Sequence, residues 1–176
     1  MKNLVFFVES NGKDPLCNVC GGILKYRDRV PRIMKKYNGE RSCIMIERRK
    51  CQNPACKKLH RCLPPQLTKF KHFATEIIED TVDDVVIPED PDGPEEEFIE
   101  SPSSRTAARW KQWIEKNKAN INGYLKAFGH SILGFNTKFL KSEISLLEEL
   151  RKTGGGWLAA IQQVIYNAGG FLDPLY

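Results

Sequence analysis

Three observations along a chain of 176 residues predict an α+β fold. The first 65 residues hold short apolar runs, turn dipeptides and all six cysteines, without helical periodicity. After Pro64-Pro65 the apolar residues recur at spacings near three and four. Glycine groups then cut the remaining text into helix-length pieces. The expected architecture is a small N-terminal β domain over 1–65, then a mainly α-helical bundle over 66–176. With 41% hydrophobic and 28% charged residues, the chain suits one compact domain or two small packed ones, which excludes a large multidomain catalyst.

The elements follow in order. Leu4 to Val8 reads as a short leading strand that ends in Asn11-Gly12-Lys13-Asp14-Pro15. From Cys17 to Cys56 two cysteine turns are separated by extended structure, with Gly21-Gly22 after the first and Asn38-Gly39 as a hairpin turn. Ser42 to Lys50 is a strand leading into the second turn. Phe70, Phe73, Ile77, Ile78, Val82 and Val85 mark an amphipathic helix over 69–85. Residues 87–94, with three prolines and Gly93, form a connection, and 94–100 a short helix with proline first and carboxylates in its first turn.

Ser101-Pro102-Ser103-Ser104 makes a turn and offers serine caps to a helix from Arg105 to about Asn117, with Ala107, Trp110, Trp113 and Ile114 on one face. Further helices are expected over 120–133, interrupted by Gly123 and Gly129, and over 138–152. Gly154-Gly155-Gly156 ends the latter, and a last helix, Trp157 to Asn167, stops at Gly169-Gly170. The three tryptophans are expected in the core.

The formal charge of +5 conceals a basic, acidic, basic order: residues 1–72 carry +12, residues 73–100 carry −12 and residues 101–176 carry +5. The basic first segment suggests a polyanion partner, and the acidic middle argues against a uniform nucleic-acid surface. No run of 18 apolar residues exists, and Leu4 to Val8 is too short for the apolar part of a signal peptide. The expectation is a cytoplasmic protein with no membrane partner, and hence reduced cysteines or a metal rather than disulfides.

Cys17-Asn18-Val19-Cys20 and Cys51-Gln52-Asn53-Pro54-Ala55-Cys56 carry the chemistry. Zinc needs four soft or borderline ligands at the corners of a tetrahedron, and two short Cys–Cys turns from the ends of a hairpin supply them. This spacing reads as a zinc ribbon holding one structural Zn2+ on Cys17, Cys20, Cys51 and Cys56. Lys50, Lys57 and Lys58 flank the site and favour thiolates. His60 and Cys62 are the substitutes if Cys56 is not a ligand, and Cys43 is a bystander.

Helix 69–85, helix 94–100, the turn and helix 104–117 have the order of a helix-turn-helix unit spanning about 69–117, whose last helix enters the DNA major groove. Ser103, Ser104, Arg105, Thr106 and Arg109 would face DNA and Lys111 a phosphate, while Arg48 and Arg49 grip the backbone from the ribbon.

The runs Arg48-Arg49-Lys50-Cys51, Cys56 to Pro65 and Lys71-His72-Phe73 resemble an uncharacterised bacterial family with an N-terminal zinc-binding region, found among mobile-element and transposase-related sequences. The likeness continues through Ser103 to Trp113, with its Arg109-Trp110 pair, and through Leu150-Arg151 and Gly156-Trp157-Leu158. It implies a zinc ribbon followed by a transposase-like helix-turn-helix. Asp83-Asp84 and the acidic run 89–100 depart from that family's basic-leaning middle.

Transposase-type phosphoryl transfer needs separated carboxylates holding two metal ions, and the acidic residues here cluster in a connection and on helix faces. A non-enzymatic, zinc-stabilised DNA-binding protein is therefore expected, a mobile-element regulator or accessory targeting factor with no small-molecule substrate. The alternative is a protein-interaction adaptor using the ribbon and the acidic segment. A homodimer would suit the two-fold geometry of helix-turn-helix binding.

Overall fold

A computed structural model describes residues 4–8, 16–85, 101–133 and 145–174, with the backbone alone described at 4–8. The protein is mixed α+β. Strands β2 (Leu24–Lys35), β3 (Arg41–Cys51) and β4 (Leu59–Leu63) form an antiparallel sheet, and β1 (Leu4–Val8) adds to β4 in parallel, giving the order β1-β4-β3-β2. Among the described residues four helices follow: α1 (Thr75–Val82), α2 (Ser104–Leu133), α3 (Leu146–Lys152) and α4 (Trp157–Asn167).

The β2–β3 hairpin turns at Tyr37–Gly39, where Gly39 takes φ +70, and runs in register from Lys35↔Arg41 to Leu24↔Cys51 with a bulge between Tyr26 and Asp28. Pro31 is tolerated because β2 lies at the sheet edge, where its missing N–H costs no ladder bond. Side chains alternate along β3: Ile44 and Ile46 pack toward the helices, whereas Cys43 and Met45 are exposed on the other face. β4 is an element the sequence reading missed.

Helix α1 begins six residues later than its apolar period suggests. The preceding segment folds back on the hairpin: Lys35, at the end of β2, donates its backbone N–H to His72 O and accepts from Ala74 N–H. The Arg32 guanidinium donates to the carbonyls of Thr68 and Lys71, and Lys71 N–H also donates to Thr68 O, so the segment is held as a tight turn against β2. Phe70 sits at φ +60, which ends helical text there.

The helices expected over 105–117 and 120–133 are one helix of 30 residues, about 45 Å long. Gly123 interrupts nothing, because a helical glycine costs only about 1 kcal/mol relative to alanine and the fully buried Ile121 and Leu125 flank it. α4 has the bounds its glycine brackets predict. The short helix expected at 94–100 and residues 138–144 of the next lie outside the described residues.

One apolar core joins sheet and helices: Met34, Ile46 and Leu63 pack with Trp110, Trp113, Ile121, Leu147, Trp157 and Ile161. Phe73 meets Trp110 edge-to-face, with ring centroids 5.3 Å apart. Among the described residues no helix is long and apolar enough to cross a membrane.

Candidate metal centre

The two cysteine turns occupy the open end of the β2–β3 hairpin. In the first, Cys17 N–H donates to Gly22 O and Gly21 N–H to Cys17 O, with Gly21 at φ +69, and a Leu16↔Ile23 bridge closes the loop just before β2. The second starts at Cys51, the last residue of β3, whose N–H donates to Lys58 O. Asn53 organises it: its carbonyl accepts from Cys56 and Lys57, and its side-chain oxygen from Ala55. Gln52 N–H to Ile23 O, at 3.0 Å, laces the two turns together.

This brings four sulfurs into one cluster. Cys17 and Cys56 Sγ are 3.8 Å apart, Cys20 and Cys51 Sγ 3.5 Å, and all four lie within 4.8 Å of one another. A tetrahedron with metal–sulfur bonds of about 2.3 Å has edges of about 3.8 Å, so the set fits a single ion. Gly22 is part of the cradle, since a Cβ there would lie 3.0 Å from Cys51 Sγ and 3.3 Å from Cys20 Sγ.

The sulfurs differ in proton affinity. Burial pushes the Cys51 thiol up to about 12 and also raises Cys17, whereas the Gly22 backbone N–H chiefly lowers Cys20 to about 7. The protein alone thus favours one thiolate and disfavours a fourfold negative charge, which a divalent cation would compensate. With four protein donors the set is closed, which suits cross-linking rather than catalysis.

His60 is fully buried in β4, with Nε2 3.3 Å from Cys17 Sγ. Burial, and secondarily Lys58, lowers it to about 4, so the ring is neutral, and against a Cys17 thiolate its Nε2 must be the donor. Its Nδ1 is buried without a hydrogen-bond partner. His60 therefore stands behind the cluster as an outer partner of Cys17. Cys62 is buried outside the cluster and Cys43 is exposed. With Cys56 in the cluster, the substitute position offered to His60 and Cys62 is not needed.

The first turn also docks on the far end of the chain. Asn18 Nδ2 donates to Tyr166 O at 2.6 Å, and a Cβ on Gly169 would come within 2.7 Å of Asn18 O.

The basic residues singled out from the sequence fall into two groups. Ser103, Ser104, Arg105 and Arg109 are exposed at the start of α2 with Thr106 half-buried, and Ser103 Oγ caps the helix by accepting from Thr106 N–H. Arg48 is held by Asp28, Arg49 by Glu47 and Lys111 by Asp84. Those three cations already have carboxylate partners.

A family model described as Domain of unknown function (DUF6431) matches residues 17–110, from the first cysteine to the second turn of α2. No curated protein and no solved structure matches the chain.

Proposed function

The chain belongs to the family described as Domain of unknown function (DUF6431), and from that premise we propose that it is a zinc-stabilised DNA-binding protein, a regulator or accessory targeting factor of a mobile element. The observation that carries the reading is the set of four sulfurs within 4.8 Å of one another at the end of a basic hairpin. Zinc suits this set because four thiolates in a tetrahedron match its preferred donors and geometry. When bound, it supplies a cross-link between the two ends of the β2–β3 hairpin, as in a zinc ribbon, and the thiols it requires suit a reducing cytoplasm.

The rest falls to the chain's own residues. The span of about 69–117, with α1 near its start and the first turns of α2 at its end, is read as a helix-turn-helix-like unit, with Ser103, Ser104, Arg105, Thr106 and Arg109 presented to DNA. Lys71 lies close enough to Arg109 to be depressed by its charge, after the larger effect of burial, so the helix start and the turn before α1 share one cationic surface. A twofold dimer would place two such helix starts on successive half-sites.

The test is fluorescence anisotropy of zinc-loaded protein with random duplex DNA at two salt concentrations. Binding should weaken with salt and fall about tenfold or more when Arg105→Ala is combined with Arg109→Ala. Absence of binding at low salt would favour the second reading, a protein-interaction adaptor. That reading draws on Ile33 and Met45, exposed on the same face of the hairpin.

A further inference from the structure

A cleft of about 640 Å³ opens between the edge strand β2 and the turn that precedes α1. Arg32, Lys35, Arg41, Arg61 and His72 line it, over apolar walls that include Val30 and Ile46. Among the described residues no carboxylate contacts Arg32 or Arg61. Arg61 sits opposite Arg48 in the sheet, and Asp28 binds Arg48. Arg61 Nε is enclosed without an acceptor. Burial lowers the pKa of Arg32, and the charge of Arg61 lowers it further. Two half-buried cations side by side without a counter-charge oppose the fold, and an anion in the cleft would relieve them.

The rim holds a second unusual feature. Phe70 is 61% exposed and adopts φ +60, a conformation that a bulky L residue disfavours. The turn is held in that shape by Arg32, whose Nη2 donates to the carbonyls on either side, Thr68 at 3.0 Å and Lys71 at 2.7 Å. The Lys69 ammonium lies 5.0 Å from the centre of the Phe70 ring. The same arginine that lines the cleft thus fixes an exposed aromatic ring at its edge.

We propose that this cleft binds a segment of single-stranded nucleic acid, with phosphates on Arg32, Arg61, Arg41 and Lys35 and a base stacked on Phe70. Cations that follow a backbone beside an aromatic platform are the means by which proteins hold unpaired strands. Duplex DNA would satisfy the cations but offers no free base face to Phe70, and an acidic peptide offers no ring. The inference rests on the nucleic-acid reading for its class of ligand, yet uses residues other than those on α2.

The experiment titrates zinc-loaded full-length protein into a labelled oligothymidylate of about 12 nucleotides and, in parallel, into a blunt duplex. Phe70→Gly should weaken oligomer binding about tenfold while leaving the melting temperature equal or higher, because glycine accepts a positive φ. Phe70→Trp should retain binding, Arg41→Gln should weaken it and reduce its salt dependence, and Arg61→Lys should retain more than Arg61→Gln. An unchanged affinity in Phe70→Gly overturns the proposal, as does equal affinity for thymidine monophosphate, since the cleft would then hold a nucleotide rather than a strand. Displacement of the oligomer by polyglutamate that is insensitive to Phe70→Gly overturns it as well. Duplex binding that needs Arg105 and Arg109 but ignores the cleft variants sinks this inference alone. Oligomer binding without duplex binding sinks the major-groove reading alone.

Discussion

The Glu79 carboxylate caps a helix that begins at Trp157: Oε1 accepts the backbone N–H of Leu158 at 2.7 Å. Oε2 accepts from Gly156 at 2.7 Å, and Ala159 N–H approaches Oε1 at 3.4 Å. Gly156, the N-cap of α4, adopts φ +92 and has no side chain to offer, so the first amides of α4 take their acceptor from α1. Replacing Glu79 by alanine leaves buried amides without partners and should cost about 2–4 kcal/mol of stability in urea unfolding. A loss below about 0.5 kcal/mol, the range of surface substitutions, would contradict this account of how α4 is started.

The same group makes a pH prediction. Burial raises the Glu79 pKa above its ordinary 4.5, against the opposing pull of the three amides. The folded state therefore binds this proton more tightly than the unfolded chain, and the associated stability is fully present below 4.5 and lost as pH rises through the folded value. Glu79→Gln lacks the titration but also one acceptor oxygen, so it is the less stable protein at pH 4. Its deficit relative to the parent should shrink between pH 4 and pH 7, with metal loss at low pH common to both. A deficit that widens with pH would show the capping amides outweighing burial.

The features that sequence reading reached are those whose causes are local. Two cysteine turns thirty residues apart announce the four-sulfur cluster, and glycines on either side of Trp157 to Asn167 delimit α4. What stayed hidden depends on distant partners. The start of α1 is displaced because Arg32, on β2, takes the Thr68 and Lys71 carbonyls, and nothing between 64 and 74 encodes that. α2 runs through Gly123 because burial of Ile121 and Leu125 outweighs the entropic cost of glycine. β4 is disguised by His60 and Arg61, polar residues set into a strand by pairing on both sides with β1 and β3. Likewise Arg48, Arg49 and Lys111 read as free cations until their carboxylates are seen.

Metal removal should be felt beyond the hairpin. Cys17→Ser, or chelation of the parent protein, should abolish a content of one zinc per chain and, in the cobalt-substituted protein, the visible bands of a tetrahedral thiolate site. Because Asn18 donates to Tyr166 O and Gly169 leaves no room for a Cβ beside Asn18 O, the C-terminal end of α4 loses a contact at the same time. Hydrogen exchange should accelerate at 17–24, 51–58 and 166–170, with α3 less affected. Retention of one zinc per chain in Cys17→Ser would remove Cys17 from the ligand set.

Finally, the two groups of cations should contribute unequally to DNA binding. Arg48 is held by Asp28 through two nitrogens and Arg49 is held by Glu47, so each must give up a carboxylate before it can meet a phosphate. Arg105 and Arg109 project from exposed positions at the capped start of α2. The double substitution Arg105→Ala, Arg109→Ala should therefore reduce duplex affinity more, and flatten its salt dependence by a larger step, than Arg48→Ala with Arg49→Ala. Asp28→Asn should moreover raise affinity by releasing Arg48, which no account based on net charge near α2 would require. If the Arg48 and Arg49 pair proves the more damaging, the hairpin rather than the helix start carries the contact, and the major-groove assignment to α2 falls.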